Sequence, residues 1–204
     1  TATHDDSVIK QYFYEVNDHE QRLVALRLLL LKHRPESTIV FCNTKKDVQE
    51  VADELSNYGF SVLALHGDLE QRDRDQTLLQ FSNKSISVLI ATDVASRGLD
   101  IDSIDLVINY HIARDTEVHI HRIGRTGRSG NKGIACSLYS DKESYKVALL
   151  GDYLSRTIVG EELPPTSLLL ETPNQALMTT ILIDGGKKQK VRPGDILGAL
   201  TGKT

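Results

Sequence analysis

Short apolar runs alternate with longer amphipathic segments along most of the chain. The predicted strand segments around these runs span five to seven residues and are rich in β-branched side chains, which is typical of strands buried in a parallel sheet. The amphipathic segments carry apolar residues at the three- and four-residue spacing of a helix. The pattern predicts strands at Thr38–Cys42, Ser61–Leu65, Ser87–Ala91, Asp105–Tyr110 and Gly133–Tyr139, and helices at Glu20–His33, Glu70–Phe81, Thr116–Ile123 and Lys142–Leu154.

Capping residues indicate one more helix. Thr44 resembles an N-cap, with Asp47 three residues later and apolar residues from Val48 to Leu55 at helical spacing. Gly59 suits the C′ position, where a left-handed residue ends a helix. We therefore predict a helix between Thr44 and Gly59.

Strands separated by helices of this length predict an α/β fold, with a mostly parallel sheet and helices on both of its faces. In such sheets, ligands bind beyond the carboxyl ends of the strands. The polar loops that follow the strands are Asn43–Lys46, His66–Gln71, Thr92–Asp100 and His111–Asp115.

The last part of the chain has a different character. Gly160–Asn174 contains prolines and shows no clear period, which predicts a linker. Met178–Ile183 is predicted to be a strand, and Pro193–Leu200 a helix with proline in its first turn. Since one strand and one helix cannot bury a core, this part is either a truncated domain or a partly ordered extension.

Composition narrows the class of protein. The net charge is −4, so no overall basic field attracts nucleic acid, although residues 176–204 hold five basic and two acidic side chains. Cys42 and Cys136 lie in strand-like runs, which predicts buried reduced thiols and a cytoplasmic protein. No Cys/His spacing suits a metal. The longest apolar run, Leu28–Leu31, is too short to cross a bilayer.

The strongest chemical signal is HRIGRTGR, residues His121–Arg128. Arginine presents a rigid, always-charged fork of donors that matches phosphate oxygens, and glycine lets backbone approach a ligand closely. Arg125 and Arg128 are three residues apart, so in a helical turn they would point together at a transferring γ-phosphoryl group. A solvated basic turn is the alternative.

A second signal, ATDVASRGLD, follows a predicted buried strand at Ala91–Asp100. Asp100 offers a carboxylate for ribose hydroxyls, and Arg97 is a candidate for phosphate binding. Alternatively, Asp93 and Asp100 only cap loops and helices.

Two other loops carry candidates for binding a phosphate backbone. His66-Gly67-Asp68 leads into a helix whose backbone N–H groups can receive a phosphate, and Arg74 lies one turn further. The alternative is an ordinary turn with Asp68 as N-cap. Thr44 is either an RNA contact or only a helix cap.

These segments occur in an order and at spacings that resemble the second helicase domain of DEAD-box RNA helicases. The resemblance covers roughly residues 8–155, and HRIGRTGR together with ATDVASRGLD is highly specific for it. His111 stands where the family usually has an acidic residue, which leaves the role of that position open. The matching segments are VFCNT (Val40–Thr44), HGD with QxxR (His66–Arg74), ATDVASRGLD (Ala91–Asp100), VINY (Val107–Tyr110) and HRIGRTGR (His121–Arg128).

The resemblance implies a RecA-like domain that supplies half of an ATPase site. Arg125 and Arg128 would act as arginine fingers on the γ-phosphate of ATP, and Asp100 would hold the ribose. Arg97 and His121 would help to link the nucleotide and RNA sites. The residues that would line the RNA backbone are Thr44, Gly67, Gln71, Arg74 and Thr92.

The other half of such a site is absent from this sequence. It contains no GxxxxGK[ST] segment after a strand and no Asp-Glu-Ala-Asp. Gly202-Lys203-Thr204 is not a phosphate-binding loop, because Leu197 stands where the first glycine is required. We expect an N-terminal RecA-like domain of the same protein to hold the phosphates and Mg²⁺, and this piece alone to be inactive.

The tail has a resemblance of its own. Gly185–Leu200 resembles the start of a C-terminal RNA-recognition domain of bacterial DEAD-box helicases, which is associated with a hairpin of large-subunit ribosomal RNA and with ribosome assembly. The chain would then divide into a RecA-like domain at 1–159, a linker at 160–175 and a truncated RNA-recognition domain at 176–204. The tail residues expected to contact RNA are Lys187, Lys188, Lys190 and Arg192.

Two other functions remain open at this stage. One is a DNA helicase of the same superfamily, which a comparison of RNA and DNA duplex unwinding by the complete enzyme would distinguish. The other is a non-catalytic RNA-binding module, which an upstream phosphate-binding loop would exclude.

Overall fold

Six parallel strands form one sheet in the described part of the chain. The computed structural model describes residues 9–99, 101, 104–128, 130, 132–183, 185 and 187–202. The strands are β1 (Ile9–Glu15), β2 (Thr38–Phe41), β3 (Val62–Leu65), β4 (Val88–Ala91), β5 (Leu106–Asn109) and β6 (Gly133–Tyr139). Their order across the sheet is β1-β6-β5-β2-β4-β3, and every pairing is parallel. The predicted α/β fold with a parallel sheet is confirmed.

Helices cover both faces of this sheet, as predicted. Short 3₁₀ turns at Asp141–Glu143, Thr166–Leu170 and Lys187–Gln189 supplement them. The first of these turns leads directly into a helix, so the segment predicted as one helix from Lys142 is a 3₁₀ turn followed by an α-helix. The helices are α1 (His19–His33), α2 (Lys45–Asn57), α3 (Gln71–Ser82), α4 (Thr116–Ile123), α5 (Ser144–Leu154) and α6 (Pro193–Thr201).

The central strand β2 shows why the sheet needs helices on both sides. Ile39 and Phe41 pack on one face in a cluster with Phe81 of α3. Val40 packs on the other face with Leu29 of α1. Because successive side chains of a strand point to opposite faces, a run without polar residues is stable only where both faces are covered.

The caps of α2 follow the sequence prediction. The Thr44 side chain accepts the backbone N–H of Asp47 at 3.1 Å, and Gly59 has a φ of +87°. Asp68, in contrast, does not cap α3, whose N-cap is Glu70. The alternative that explained Asp68 as a helix cap is therefore wrong.

Strand β1 was not predicted. It pairs with β6 over its whole length, from Ile9 opposite Gly133 to Glu15 opposite Tyr139. It lies at the edge of the sheet, and its sequence mixes polar and aromatic residues without a clean alternation. Edge strands bury less apolar surface, so their hydrophobic pattern is weaker.

The prediction of a strand at Met178–Ile183 is wrong, because the structure has no strand over these residues. A strand needs a neighbour to satisfy its backbone, and here the segment binds a turn instead. The Met178 N–H donates to the Lys84 carbonyl at 3.2 Å, and the Thr180 hydroxyl contacts Asn83 and Ser85. The tail therefore begins beside the turn that precedes β4.

Residues 160–177, here called the strap, lie against the domain. The Glu161 N–H donates to the Phe13 carbonyl at 2.7 Å, and the Thr166–Leu170 turn packs on α1. Arg34 donates twice to the Thr172 carbonyl, at 2.9 and 3.1 Å. The segment predicted as a linker is thus held against the domain at three places.

Cys42 and Cys136 are buried and free, as predicted. Within the described residues, no helix combines the length and the apolar character that crossing a membrane requires.

Candidate functional site

A groove of about 570 Å³ runs between the loop that follows β4 and helix α4. It starts at the carboxyl ends of the central strands, at Phe41 and Asp93, and continues past the end of α4. Four of the predicted site residues line it, which are Arg97, His121, Arg125 and Arg128. The groove wall therefore carries a concentration of positive charge that suits an anionic ligand.

Arg122 has a different place from the other two arginines of HRIGRTGR. Its side chain is buried, and it makes a two-pronged ion pair with Asp93, with N–O distances of 2.6 and 2.8 Å. It also donates to Asn43, to Asn109 and to the His111 carbonyl. One guanidinium thus joins the ends of β2, β4 and β5, a role that the sequence did not assign.

Arg125 and Arg128 lie beyond the end of α4, so the expectation that they share a helical turn is wrong. Gly127, with a φ of +68°, turns the chain between them. Arg125 donates to the Leu99 carbonyl at 2.8 Å, and Arg128 to the Gly124 carbonyl at 2.9 Å. Both nevertheless line the same groove.

The electrostatics of this pair favour an anion. Burial first, and the nearby charge of Arg128 second, lower the pKa of Arg125. A guanidinium stays protonated at physiological pH, so two like charges are held close together. A ligand with negative charge between them would relieve that repulsion.

The residues predicted to line RNA follow three neighbouring strands. Thr44 follows β2, Gly67 follows β3 and Thr92 follows β4, which lies between those two. Gly67 is exposed, and a side chain there would meet no atom within 4 Å, so its backbone is open to a ligand. The structure brings these positions to one edge of the sheet.

Gln71 and Arg74 lie in the first turn of α3. Gln71 is exposed and donates to Asp75 at 2.7 Å. Arg74 donates to the Ala95 carbonyl at 2.6 Å. The loop after β4 is therefore bound by Arg74 from the predicted RNA side and by Arg125 from the groove side.

The His111 side chain connects the ends of two strands through a hydrogen bond. Its Nδ1 atom accepts the Asn43 N–H at 3.2 Å, which ties the end of β5 to the end of β2. Burial first, and the charge of Arg22 second, lower its pKa to about 4. The ring is thus neutral near pH 7, as its role as an acceptor requires.

The structure does not bring Asp100 or the basic residues of the tail into contact with the groove among the described residues. Asp100 lies outside the described residues, as does the side chain of Lys187. Lys188, Lys190 and Arg192 are exposed, and the chain reaches them from the turn before β4. That turn lies at the amino ends of the strands, whereas the predicted site loops follow their carboxyl ends.

In the described part of the chain, no three His, Cys, Asp or Glu side chains come together in a group that could hold a metal ion.

Comparison with known proteins places these features in a family. The model of the helicase conserved C-terminal domain matches residues 20–130. The ATP-dependent RNA helicase DbpA of Escherichia coli is 53% identical over 95% of this chain. The match covers 42% of that relative, so the chain spans about two fifths of its length.

Solved structures agree with this placement and confirm the RecA-like fold. The DEAD-box protein SrmB of E. coli, in a structure with the regulator RraA, has a TM-score of 0.72 and 32% identity, covering 76% of this chain and 91% of that chain. Dbp5 of Saccharomyces cerevisiae, bound to RNA and ADP BeF3, has a TM-score of 0.69 and 33% identity, covering 75% of this chain and 41% of that chain.

Proposed function

The chain belongs to the helicase conserved C-terminal domain family, as a DbpA-like domain of the DEAD-box group, and we propose that it completes the ATPase site of an RNA helicase. The observation that carries the proposal is the groove in which Arg125 and Arg128 face one open space. The proposed activity is ATP-driven unwinding of RNA duplexes by the complete protein.

Arg125 and Arg128 are proposed to act as arginine fingers. ATP supplies the phosphoryl group, and its three phosphates suit a wall of guanidinium groups. Arg125 uses one of its five N–H groups on Leu99 and keeps the others for a phosphate oxygen. Asp100 is proposed to hold the ribose, with Arg97 and His121 linking the nucleotide and RNA sites.

Thr44, Gly67, Gln71, Arg74 and Thr92 are proposed to bind the backbone of one RNA strand. The yeast relative Dbp5 supports this proposal, since it is bound to RNA and ADP BeF3 in its structure. Contacts to sugar and phosphate carry no sequence information, so binding should tolerate any sequence.

Closure of two domains is the proposed mechanism. The N-terminal RecA-like domain would hold the phosphates and Mg²⁺, and this domain would complete the site only when the two meet. The closed pair would hold one bent strand but not a duplex, and hydrolysis would reopen the cleft.

The tail suggests the RNA target. The match to DbpA extends over 95% of the chain and so includes most of the tail. We propose that Lys187, Lys188, Lys190 and Arg192 contact ribosomal RNA and that the protein acts in assembly of the large ribosomal subunit. The free buried cysteines fit the cytoplasm, where thiols stay reduced.

Replacing Arg125 by alanine in the complete protein tests the fingers. Loss of an arginine finger lowers turnover by about 1000-fold or more, so RNA-stimulated ATP hydrolysis should fall by that factor. The fold should persist, because the Arg125 side chain is only partly buried. Release of inorganic phosphate measures the rate of ATP hydrolysis, and circular dichroism measures whether the fold persists.

Arg156→Ala is the matched control, since Arg156 is exposed and lines a different cavity beside α5. Its turnover should equal that of the wild type. Equal turnover in Arg125→Ala and Arg156→Ala would remove the assignment of Arg125.

A further inference from the structure

One ion pair joins the first two loops of the proposed RNA path. The Lys45 ammonium lies 2.8 Å from an Asp68 carboxylate oxygen. Lys45 directly follows Thr44, and Asp68 directly follows Gly67. The pair therefore spans the gap between the two positions at which an RNA backbone is expected.

The backbone segments that carry Lys45 and Asp68 are connected by hydrogen bonds through His66. The Nδ1 atom of His66 accepts the Asp68 N–H at 3.3 Å, so its other ring nitrogen carries the proton and donates to Gln49 at 3.1 Å. Gln49 is four residues after Lys45, on the same face of α2. Helix α2 and the turn after β3 thus hold both partners at a set distance.

The side chains themselves are easily separated. Lys45 and Asp68 are 56% and 66% exposed. Ion pairs in such a position gain little from pairing, because water solvates both charges well. The Lys45 hydrogen bond first, and its charge second, lower the pKa of Asp68, so the carboxylate is fully charged at neutral pH.

We propose that Lys45 is a further RNA-phosphate contact. In the absence of RNA, its ammonium group is paired with Asp68. A phosphate between Thr44 and Gly67 would take the place of the carboxylate at the Lys45 ammonium. Asp68 would then repel the phosphate and weaken the resting affinity. The inference rests on the proposed RNA path, and it adds a binding residue and a competing group to that path.

The neighbouring pair of Lys46 and Glu50 provides a matched control. It lies within α2, with an N–O distance of 3.7 Å, and it points about 100° around the helix from Lys45. Lys46 is 83% exposed. Lys46→Gln removes the same charge from the same helix without touching the gap.

The test measures binding of the complete protein to a fluorescein-labelled oligouridylate of about ten nucleotides. Anisotropy is followed with a non-hydrolysable ATP analogue over a potassium chloride series. Lys45→Gln should weaken binding by about 5-fold and reduce the slope of log affinity against log salt by about 0.7, as expected when one single-strand phosphate contact is lost. Asp68→Asn should strengthen binding by about 3-fold.

The double variant Lys45→Gln/Asp68→Asn separates the proposed competition from a general effect of charge. If Asp68 acts through Lys45, the gain from Asp68→Asn should largely disappear once Lys45 is gone. Lys46→Gln should change affinity by less than about 2-fold.

Two results would overturn the inference alone. One is equal loss in Lys45→Gln and Lys46→Gln with a wild type that binds, and the other is weaker binding in Asp68→Asn. A wild type that does not bind the oligonucleotide would instead overturn the proposed function, and this inference with it.

Discussion

Arg122 carries its charge where water does not reach it, since its side chain is about 1% exposed. Such a charge is stable only when it is paired and hydrogen bonded. Asp93 supplies the countercharge, and oxygens from the ends of β2 and β5 take further N–H groups. The arginine therefore sets the relative positions of the loops from which the proposed site is built.

Asp93→Ala should destabilise the chain by about 3 kcal/mol, because it leaves the Arg122 charge buried without a counterion. Urea unfolding followed by circular dichroism measures the change. Glu50→Ala is the control, because it removes a carboxylate from an exposed pair and should cost less than about 1 kcal/mol. Similar costs in the two variants would contradict this argument, because they would show that Arg122 does not need Asp93 to compensate its buried charge.

His119 gives the domain a dependence on pH. The ring is 1% exposed, and one nitrogen contacts the Gln11 side chain at 2.9 Å, while the other has no partner among the described residues. Burial first, and the charge of Arg122 second, lower its pKa from 6.5 to about 4. Protonation would place a second charge in this apolar site.

The unfolded chain binds a proton at His119 between pH 6.5 and 4, while the folded chain does not. The stability that neutral His119 provides is thus complete above about pH 6.5 and is lost as the pH falls toward 4. Between pH 7 and pH 5 the loss should be about 2 kcal/mol, in addition to a similar loss from His111.

His119→Gln should reduce this pH dependence by that amount, as measured by urea unfolding at several pH values. His19→Gln, at an exposed ring, should leave it unchanged. A slope in His119→Gln equal to that of the wild type would contradict the assignment.

At the level of residues, the sequence identified chemistry better than burial. It assigned Arg125 and Arg128 of HRIGRTGR to a phosphate, and both line the groove, but it gave no role to Arg122, whose side chain is buried at the groove floor in an ion pair with Asp93. Arg122 is buried because it lies on the face of α4 that packs on the sheet, whereas Arg125 and Arg128 lie beyond the end of that helix. The apolar residue Ile123, next to Arg122 on that helix, is a sequence signal that this part of the helix packs inward, and it is buried in the structure.

At the level of elements, prediction succeeded where local physics decides the structure. The cap at Thr44 and the glycine at Gly59 define α2 because their hydrogen bonds and φ angles are local. Prediction failed where a neighbour decides. Strand β1 exists because β6 offers it seven paired positions, whereas Met178–Ile183 has a suitable composition but binds a turn instead.

At the level of the whole molecule, the strap determines where the tail begins. The strap binds the domain through Glu161, which donates to Phe13, and through Thr172, which accepts from Arg34. Directly after the strap, Met178 donates to Lys84, beside the start of β4. The proposed nucleotide and RNA residues of the domain follow the strands instead. The basic tail thus starts beside the amino end of β4, at the opposite end of the strands from those residues.

The strap can be tested by amide hydrogen exchange followed by NMR. A free linker would exchange at the rates of an unfolded peptide, whereas the Glu161 and Met178 amides should be protected because both donate to backbone carbonyls of the domain. Arg34→Asn should remove the anchor at Thr172 and speed exchange at residue 178 by about 10-fold or more. Asparagine suits this position, because residue 34 has a φ of +42°. Arg27→Ala, within α1, removes a cation–π contact with the Tyr58 ring and should leave the strap protected. Fast exchange at both amides in the wild type would show instead that the segment is a free tether, and the tail could then reach either edge of the sheet.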